Sequence, residues 1–309
     1  MARPLVFALP GNDALAATLA DAMGFERGAL VVRDFPDGES FVRIDTSPAG
    51  REAIVVATLR TPNAQLLPLI FLADTLRELG ATRVGLVAPY LAYMRQDARF
   101  HEGEAVTSRS FAALISRSVN WLLTVDPHLH RIRDLRELYT IPATALHVAP
   151  LLGAWIAANV RTALIIGPDE ESRQWVESVA EAAHAPWLVI SKTRVGDTQV
   201  VESALALGAH RSCTPVVVDD IISTGRTMLA AVEQLRAQQS IAPVCVAVHA
   251  VFAGDAYATL RAAGASRIVT TNTIPHESNR IDVAPAIARA LRGGPGAAGR
   301  QRSALSGDE

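Results

Sequence analysis

Short apolar runs rich in β-branched residues alternate along the chain with longer segments in which apolar residues recur at helical spacing. The runs are short enough to predict strands, many of them buried on both faces. The predicted strands are 5–9, 29–32, 53–57, 83–88, 121–125, 163–166, 187–190, 216–218, 244–249 and 267–271. The predicted helices are 12–22, 64–79, 149–158, 172–183, 227–238 and 255–263. This alternation indicates an α/β protein whose sheets are largely parallel.

The chain is long enough for two domains, and a division near residues 142–150 is predicted. Each half then holds a full set of strand–helix units, so the expected domains are 1–145 and 146–292. The halves are similar in the order of their elements, although no repeat of residues is visible. From Gly293 onward the chain is rich in glycine, alanine and charged residues without apolar periodicity, which predicts a disordered tail over 293–309.

Composition narrows the class of protein. Half of the 309 residues are hydrophobic, 19% are charged and the formal net charge is -2. That balance gives no electrostatic reason to expect binding to nucleic acid or to a membrane. The two cysteines, Cys213 and Cys245, lie beside apolar runs and are expected to be reduced residues in or near the core. We find neither a signal-peptide pattern nor an apolar run of about 18 residues, and therefore expect a soluble cytoplasmic protein.

The most informative stretch is 214–228, which begins as a buried strand, reaches two adjacent carboxylates and turns into a helix. A helix N-terminus that follows a strand presents unpaired backbone N–H groups and a positive dipole, and this geometry binds phosphate. Gly225 allows the backbone to approach a ligand closely. Asp219 and Asp220 would repel a phosphate, but they suit the hydroxyl groups of a sugar or a metal ion nearby. The stretch thus indicates a site for a phosphorylated sugar.

Hydroxyl groups supply further donors in the same turn, from Ser223, Thr224 and Thr227. The alternative is an ordinary strand–turn–helix in which aspartate and threonine act only as helix caps. Capping alone does not require two acidic residues, a glycine and three hydroxyl groups so close together, and we favour the sugar-phosphate site.

This stretch resembles the phosphoribosyl-pyrophosphate (PRPP) binding motif of the type I phosphoribosyltransferase fold. The resemblance implies two similar domains of that fold, each a largely parallel sheet flanked by helices. The motif alone does not separate transferases that consume PRPP from synthetases that make it.

A second stretch, residues 89–105, follows a predicted strand and so lies at its carboxyl end, where α/β proteins place ligands. Arg95 and Arg99 offer planar charged groups suited to phosphate oxygens. A solvated loop with a surface Arg–Asp pair is the alternative. The stretch resembles the ATP-binding segment of PRPP synthetases (ribose-phosphate diphosphokinases), closest to their shorter, archaeal-like branch. The resemblance implies that Arg95 and Gln96 contact the nucleotide.

The sequence Phe-Pro-Asp-Gly-Glu at 35–39 resembles a turn that, in the same family, packs on the adenine of ATP bound to a neighbouring subunit. By that resemblance Phe35 stacks on the base, and Asp37 and Glu39 accept hydrogen bonds from its amino group. A homo-oligomer with an ATP site shared between subunits would follow. The alternative is a hairpin turn with Asp-Gly at its tip.

Two further strand ends match the family. His128 falls on a position that helps to hold Mg²⁺ near the ATP phosphates, and Asp169 falls on the carboxylate of the loop for pyrophosphate and metal. A glycine usually stands two residues beyond this aspartate in the family, whereas Glu170 and Glu171 follow here. Two added carboxylates repel a polyphosphate unless they recruit Mg²⁺ or point away.

Lys192 and Arg194 follow the predicted strand 187–190. Side chains two apart on an extended segment point to the same side, and an exposed basic strand end is the simple interpretation. The family carries Lys-x-Arg on a mobile loop at this position, so the resemblance implies that both residues close over the transferring group and act in catalysis.

Other ATP-binding and catalytic fingerprints are missing from the sequence, including a P-loop, a dinucleotide-binding glycine pattern and a Gly-x-Ser-x-Gly elbow. The resemblance to PRPP synthetases implies transfer of the diphosphoryl group of Mg-ATP to the 1-hydroxyl of ribose 5-phosphate. Two alternatives remain: a phosphoribosyltransferase that uses PRPP, and a non-catalytic regulatory paralogue, which Glu170 and Glu171 favour.

Overall fold

The computed structural model describes residues 2–129, 131–190, 192–195, 199–202, 207–238 and 241–294, with only the backbone described at 192–195 and 199–202. The strands are β1 (Leu5–Ala8), β2 (Glu26–Arg27), β3 (Leu30–Asp34), β4 (Ser40–Ile44), β5 (Glu52–Val56), β6 (Arg83–Ala88), β7 (Trp121–Val125), β8 (Ala143–Leu146), β9 (Ala163–Gly167), β10 (Trp187–Val189), β11 (Lys192–Val195), β12 (Gln199–Glu202), β13 (Thr214–Ile222), β14 (Val244–Ala250), β15 (Arg267–Thr271) and β16 (Asn279–Ile281). The α-helices are α1 (Asp13–Met23), α2 (Pro62–Glu78), α3 (Thr107–Ser118), α4 (Ala149–Asn159), α5 (Arg173–Ala183), α6 (Arg226–Gln238), α7 (Ala256–Ala262) and α8 (Ala284–Arg292).

Two compact units divide the chain. One comprises residues up to Leu146 together with the described residues from Ala284 onward, and the other comprises His147–Val283. We refer to them as the N-terminal and C-terminal units. Each unit is built on a six-stranded sheet, in the orders β2-β1-β5-β6-β7-β8 and β10-β9-β13-β14-β15-β16. All strand pairs within the two sheets are parallel, so the predicted α/β class is confirmed.

The two sheets share one topology. In each, the second strand along the chain lies beside the first at one edge, and the later strands extend from the other side of the first. An antiparallel hairpin follows the second sheet strand in both units, β3–β4 in one and β11–β12 in the other. The similarity that the sequence showed only as element order is therefore a similarity of strand order and of hairpin position.

Burial explains why the apolar runs form central strands. All but the first residue of β5 and of β6 are buried, because helices cover both faces of a parallel sheet. Gly85 in β6 allows the Trp121 ring to lie against the strand, since a Cβ at Gly85 would sit 1.9 Å from a Trp121 ring carbon. The Trp121 indole N–H donates to the Glu52 carboxylate at 2.8 Å, so the single hydrogen-bond donor of this buried ring has an acceptor.

The core of the C-terminal unit follows the same logic. Every residue of β14 is buried, and α5 turns Val176, Val179 and Ala180 inward. Cys213 and Cys245 are buried and unpaired, as expected. Burial raises the pKa of the Cys245 thiol to about 12, which disfavours the thiolate that oxidation and metal binding require.

The C-terminal part of the chain differs from the sequence expectation in one respect. Helix α8 groups with the N-terminal unit, although residues 146–292 were assigned to the second domain. It buries Ala284 and Ile287, and Arg292 donates to the Ala22 carbonyl at the end of α1. Helical periodicity identifies the buried face of a helix but not the unit that covers it. The assignment of α8 to the second domain followed chain order alone and was wrong. From residue 295 onward, the predicted tail lies outside the residues that the structure describes.

Candidate active site

The carboxylate-bearing segments of the C-terminal unit lie at the carboxyl ends of two inner strands of its sheet. β9 and β13 are neighbours, and the chain runs from β9 to β10 on one side and from β13 to β14 on the other. The order of strands reverses between them, and such a reversal opens a crevice at the carboxyl ends of the strands where α/β sheets bind ligands. Asp169 follows β9, and Asp219 and Asp220 lie near the end of β13. The three carboxylates that the sequence predicts as site residues therefore lie at the crevice of one sheet.

Strand β13 is longer than the predicted 216–218, and the aspartates lie within it. Ile221 and Ile222 continue the parallel pairing with β14, opposite His249 and Ala250. The pairing extends because isoleucine remains a good strand residue after the two carboxylates, and Ile222 is buried.

The turn between β13 and α6 combines a glycine with positive φ and the start of a helix. Gly225 has a φ of +69°, a left-handed conformation that glycine adopts without steric cost, and α6 begins at the next residue. The Leu229 amide donates to the Gly225 carbonyl at 2.7 Å as the first bond of the helix, so the preceding amides lack helical partners. Thr224 is exposed, and Ser223 and Thr227 are half-buried. The turn is therefore open to a ligand.

Asp219 carries a strongly perturbed carboxyl group in this crevice. Its Oδ1 accepts a hydrogen bond from the Asp220 amide at 2.9 Å. Burial, followed by the negative charges of Asp220 and Asp169, raises the pKa of Asp219 well above its ordinary value. Carboxylates crowded in this way are relieved by a cation or by donors such as sugar hydroxyl groups.

Asp169 and Glu170 have different roles in the segment after β9. The Asp169 side chain accepts from the Ser172 amide at 3.1 Å and caps a single helical turn, Glu170–Ser172. Glu170 instead forms a two-point ion pair with Arg173, with N–O distances of 2.8 and 2.9 Å. The charge of Glu170 is therefore compensated locally. Glu171 is exposed.

Lys192 and Arg194 lie in β11, the first strand of the hairpin. Lys192 pairs with Glu202 and Arg194 with Val200 in the antiparallel register. Their side chains lie outside the described part of the structure. The hairpin occupies the same place in its unit as the β3–β4 hairpin, which carries the Phe35 turn, occupies in the N-terminal unit.

In the N-terminal unit, β6 and β7 are adjacent parallel strands, so the segments that follow them meet at one sheet edge. Arg95 is exposed and Gln96 is half-buried on the segment after β6, while His128 is half-buried after β7. The Gln96 carbonyl accepts from the Ser108 amide at 3.3 Å, which ties this segment to α3. Arg95 and Gln96, predicted to bind ATP, and His128, predicted to bind metal, thus lie on segments that leave the same end of this sheet.

Two carboxylates of the segment after β6, those of Asp97 and Glu104, hold it in place through hydrogen bonds. Asp97 accepts from the backbone and side chain of Arg131. Burial raises the pKa of Asp97, but the hydrogen bonds from Arg131 outweigh that effect and hold the pKa below its ordinary value. Further along, hydrogen bonds from the His101 ring and from backbone amides, that of Phe100 among them, lower the pKa of Glu104.

The Phe35 turn joins β3 to β4 as a hairpin. The Phe35 amide donates to the Glu39 carbonyl at 2.7 Å, and Gly38 has a φ of +90° at the tip. Phe35 is 38% exposed, unusually open for a phenylalanine, and the Arg33 guanidinium lies 4.6 Å from the centre of its ring. Asp37 and Glu39 are exposed. The hairpin geometry of the simple interpretation is present, and it displays the aromatic and acidic side chains outward.

In the described ranges, no three histidine, cysteine, aspartate or glutamate side chains form a group that could hold a metal ion. Nor does any helix of the described chain combine the length and apolar character that a bilayer crossing requires.

Comparison with known proteins defines first the class and then the family. Residues 134–285 match the phosphoribosyl transferase domain, and residues 5–118 match the N-terminal domain of ribose phosphate pyrophosphokinase. The chain is 34% identical over 284 residues to a ribose-phosphate pyrophosphokinase of Halobacterium salinarum, covering 91% of this chain and 98% of that protein. It is 32% identical over 289 residues to one of Methanopyrus kandleri, covering 93% and 98%.

A solved structure agrees in fold. Phosphoribosylpyrophosphate synthetase from Mycobacterium smegmatis superposes with a TM-score of 0.81 at 27% identity, covering 94% of this chain and 98% of that one. The fold is that of the type I phosphoribosyltransferases, repeated in two units. The chain belongs to the ribose-phosphate pyrophosphokinase family of enzymes, which confirms the resemblance seen in its sequence, including its archaeal relatives.

Several residues near the candidate site were missed by sequence reasoning. Arg131 and Arg173 each pair with a carboxylate of a candidate segment, and Arg33 covers the Phe35 ring. Asp126 is buried with a φ of +31°, an uncommon conformation that is often found at functional sites. Only Asp126 had a usable signal, its position at the end of an apolar run directly before Pro127 and His128.

Proposed function

We propose that the protein transfers the diphosphoryl group of ATP to the 1-hydroxyl of ribose 5-phosphate, giving PRPP and AMP. The observation that carries the proposal is the crevice between β9 and β13, where an open glycine turn at the start of α6 lies beside carboxylates. In the reaction the sugar oxygen forms a bond to the β-phosphorus, the bond from that phosphorus to the α–β bridging oxygen breaks, and AMP leaves. Such transfers depend mainly on positioning and electrostatics.

The ribose 5-phosphate is assigned to the C-terminal unit. Its phosphate accepts from the backbone and hydroxyl groups of the turn, supplied by Ser223, Thr224, Gly225 and Thr227. Asp219 and Asp220 accept from the ribose hydroxyl groups. The raised pKa of Asp219 supports this role, since a crowded carboxyl group gains most from new donors.

ATP is assigned to the segment after β6, with Arg95 and Gln96 as its contacts. The exposed tip that carries Phe35, Asp37 and Glu39 is free within its own unit to meet the adenine of ATP on another subunit. We therefore also propose a homo-oligomer whose ATP sites are shared between subunits. Sedimentation velocity tests this, because a monomer that retained full activity would contradict it.

Magnesium fits the chemistry of the crevice. Mg²⁺ commonly binds through one or two carboxylates, substrate phosphates and waters rather than a complete protein cage, so the lack of a three-residue group among the described residues does not oppose it. By the resemblance, Asp169 in the crevice and His128 in the N-terminal unit are each assigned as a Mg²⁺ ligand, and a cation in the crevice would relieve the repulsion among its aspartates. When bound, Mg²⁺ would neutralise phosphate charge.

Lys192 and Arg194 are proposed to neutralise charge that develops on the transferring phosphates. Composition adds support, because Lys192 is the only lysine among the 29 lysine and arginine residues of the chain. A chain that otherwise uses arginine throughout has kept a compact, flexible ammonium group at this position, and arginine does not reproduce that geometry.

The ion pair between Glu170 and Arg173 bears on the regulatory alternative. That alternative was favoured by two added carboxylates near the polyphosphate, but one of them is compensated by its own arginine. The transferase alternative loses support from the match of residues 5–118 to the pyrophosphokinase N-terminal domain, where a base-binding hood would be needed.

The deciding experiment incubates purified protein with Mg-ATP and ribose 5-phosphate and measures AMP and PRPP. AMP formation that depends on the sugar supports the proposal. ATP binding without turnover would favour a regulatory protein, and base-dependent consumption of PRPP would favour a transferase. Lys192→Ala should lower kcat by about two orders of magnitude. Lys192→Arg keeps the charge and should also lose activity, and full activity of either variant would refute the assigned role.

A further inference from the structure

A buried carboxylate joins two segments of the N-terminal unit at the carboxyl ends of neighbouring strands. Asp97, after β6, accepts from the Arg131 amide at 3.1 Å and from an Arg131 guanidinium nitrogen at 2.9 Å. The Asp97 side chain is 3% exposed, whereas that of Arg131 is 57% exposed. A carboxylate withdrawn from water in this way depends on its donors, and Arg131 supplies both of these bonds.

Arg131 holds the segment after β6 at a second point. Its guanidinium lies 5.2 Å from the centre of the Phe100 ring, within the range of a cation–π contact. The Glu104 carboxylate closes the rest of the segment, accepting from the amides of Phe100 and His101 at 3.0 and 3.2 Å. The segment 97–104 is therefore folded on itself and attached through Asp97 and Phe100 to one arginine.

The positions of the two partners give the contact a consequence. Asp97 directly follows Gln96, and Arg131 lies three residues beyond His128. The contact links the segment that carries the proposed ATP-binding residues to the segment that carries the proposed metal ligand. The link consists of two charge-assisted hydrogen bonds, which are stronger than bonds between neutral groups.

We propose that Asp97 and Arg131 are positioning residues of the ATP site. They hold Arg95, Gln96 and His128 in the one arrangement that receives the triphosphate of ATP. The inference rests on the proposed function. It assigns no contact with the nucleotide to either residue, and the effect reaches ATP through the segments that the two residues join.

The expected effect is on ATP rather than on the sugar. Asp97→Ala and Arg131→Ala should each raise the KM for ATP on the order of tenfold, since hydrogen bonds to charged groups contribute about that factor or more. The KM for ribose 5-phosphate should change less than twofold. The effect of the double variant should be smaller than the sum of the two single effects, because both substitutions remove the guanidinium–carboxylate bond that the two residues share. Arg131→Lys keeps a charge near Asp97 and should recover part of the affinity.

The test measures the affinity for Mg-ATP by calorimetry, both KM values and kcat, and hydrogen exchange of the segment 95–104. The matched control is Arg136→Ala, which removes an exposed arginine that pairs with Asp134 at 2.6 Å on the same stretch of chain. Thermal unfolding of every variant identifies any that fold poorly. The Arg131→Lys variant then carries the comparison if an alanine variant fails to fold.

Loss of ATP affinity and of exchange protection in the Asp97 and Arg131 variants, but not in Arg136→Ala, supports the proposal. Three results overturn it: equal rises of the two KM values, additive effects in the double variant, or protection unchanged from the wild type. If the wild-type protein bound no ATP, the proposed function would fail by itself. Hydrogen exchange would then still show whether the pair holds the segment.

Discussion

The crowding of carboxylates at the β13 crevice predicts that this site lowers stability in return for function. Asp219→Asn is the sharpest perturbation. Asparagine has nearly the same shape, and its Oδ1 can still accept from the Asp220 amide, so the substitution removes the charge and keeps the contact. We expect the variant to be more stable than the wild type at neutral pH without divalent cations, and to bind ribose 5-phosphate poorly.

The sign follows from the raised pKa of Asp219. A carboxyl group with a higher pKa in the folded protein than in the unfolded chain favours folding while it is protonated. Its contribution is fully present below the unfolded pKa and is lost as the pH rises through the folded pKa. The advantage of asparagine should therefore be absent in acid and grow with pH until the folded Asp219 has ionised.

The magnitude is set by the same linkage. Each unit of pKa difference corresponds to about 1.4 kcal/mol. Burial of the Asp219 carboxyl group strengthens this effect, whereas solvent at the half-buried residue screens part of the repulsion from Asp220 and Asp169. We expect a gain in the free energy of unfolding of about 1 kcal/mol at pH 7. Loss of charged hydrogen bonds to the sugar should raise the KM for ribose 5-phosphate about tenfold or more.

Urea unfolding of both proteins from pH 4 to pH 8 in EDTA measures the difference directly. Asp255→Asn, which changes an exposed aspartate of the same unit, is the control and should show no such trend. A destabilised Asp219→Asn protein at pH 7, or an advantage that does not vary with pH, would refute the reasoning from charge repulsion.

Three further predictions follow from single contacts. Gly85→Ala places a methyl group in the Trp121 ring and should cost about 3 kcal/mol or more in urea unfolding, and a variant of wild-type stability would contradict that packing. Gly225→Ala has room for the methyl group but a φ of +69°, so it should cost about 1 kcal/mol in stability and raise the KM for ribose 5-phosphate, whereas an unchanged KM would argue against the cradle. Arg173→Ala leaves Glu170 uncompensated and should lower kcat/KM a few fold in steady-state assays while stability changes by less than about 0.5 kcal/mol, and unchanged kinetics would show that Glu170 points away from the phosphates.

Two proposed roles differ in what supports them. The sugar-phosphate turn was visible in the sequence and has the expected geometry, with an exposed Thr224 at its centre. The roles of Lys192 and Arg194 are supported by resemblance, by the hairpin backbone and by the single lysine in the composition. The assay of AMP and PRPP formation tests both roles. Side-chain positions are described for the turn and not for Lys192 and Arg194.

Local pattern determined much of this protein. Apolar runs identified the central strands, because a strand covered on both faces must be apolar throughout. Strand-end chemistry predicted Asp169, Asp219 and the Ser223–Thr227 turn as ligand-binding groups, because the carboxyl ends of parallel strands are where ligands bind. These signals lie within short stretches of chain, so they can be read without knowing which strands are neighbours.

Only the tertiary structure decided the rest. That β9 and β13 are adjacent, that α8 joins the N-terminal unit and that Arg131 reaches Asp97 are contacts between residues far apart in the chain. Periodicity shows which face of an element is buried, but not which element covers it. An ion pair leaves even less trace, because any arginine can satisfy a carboxylate until packing brings one of them within hydrogen-bonding distance.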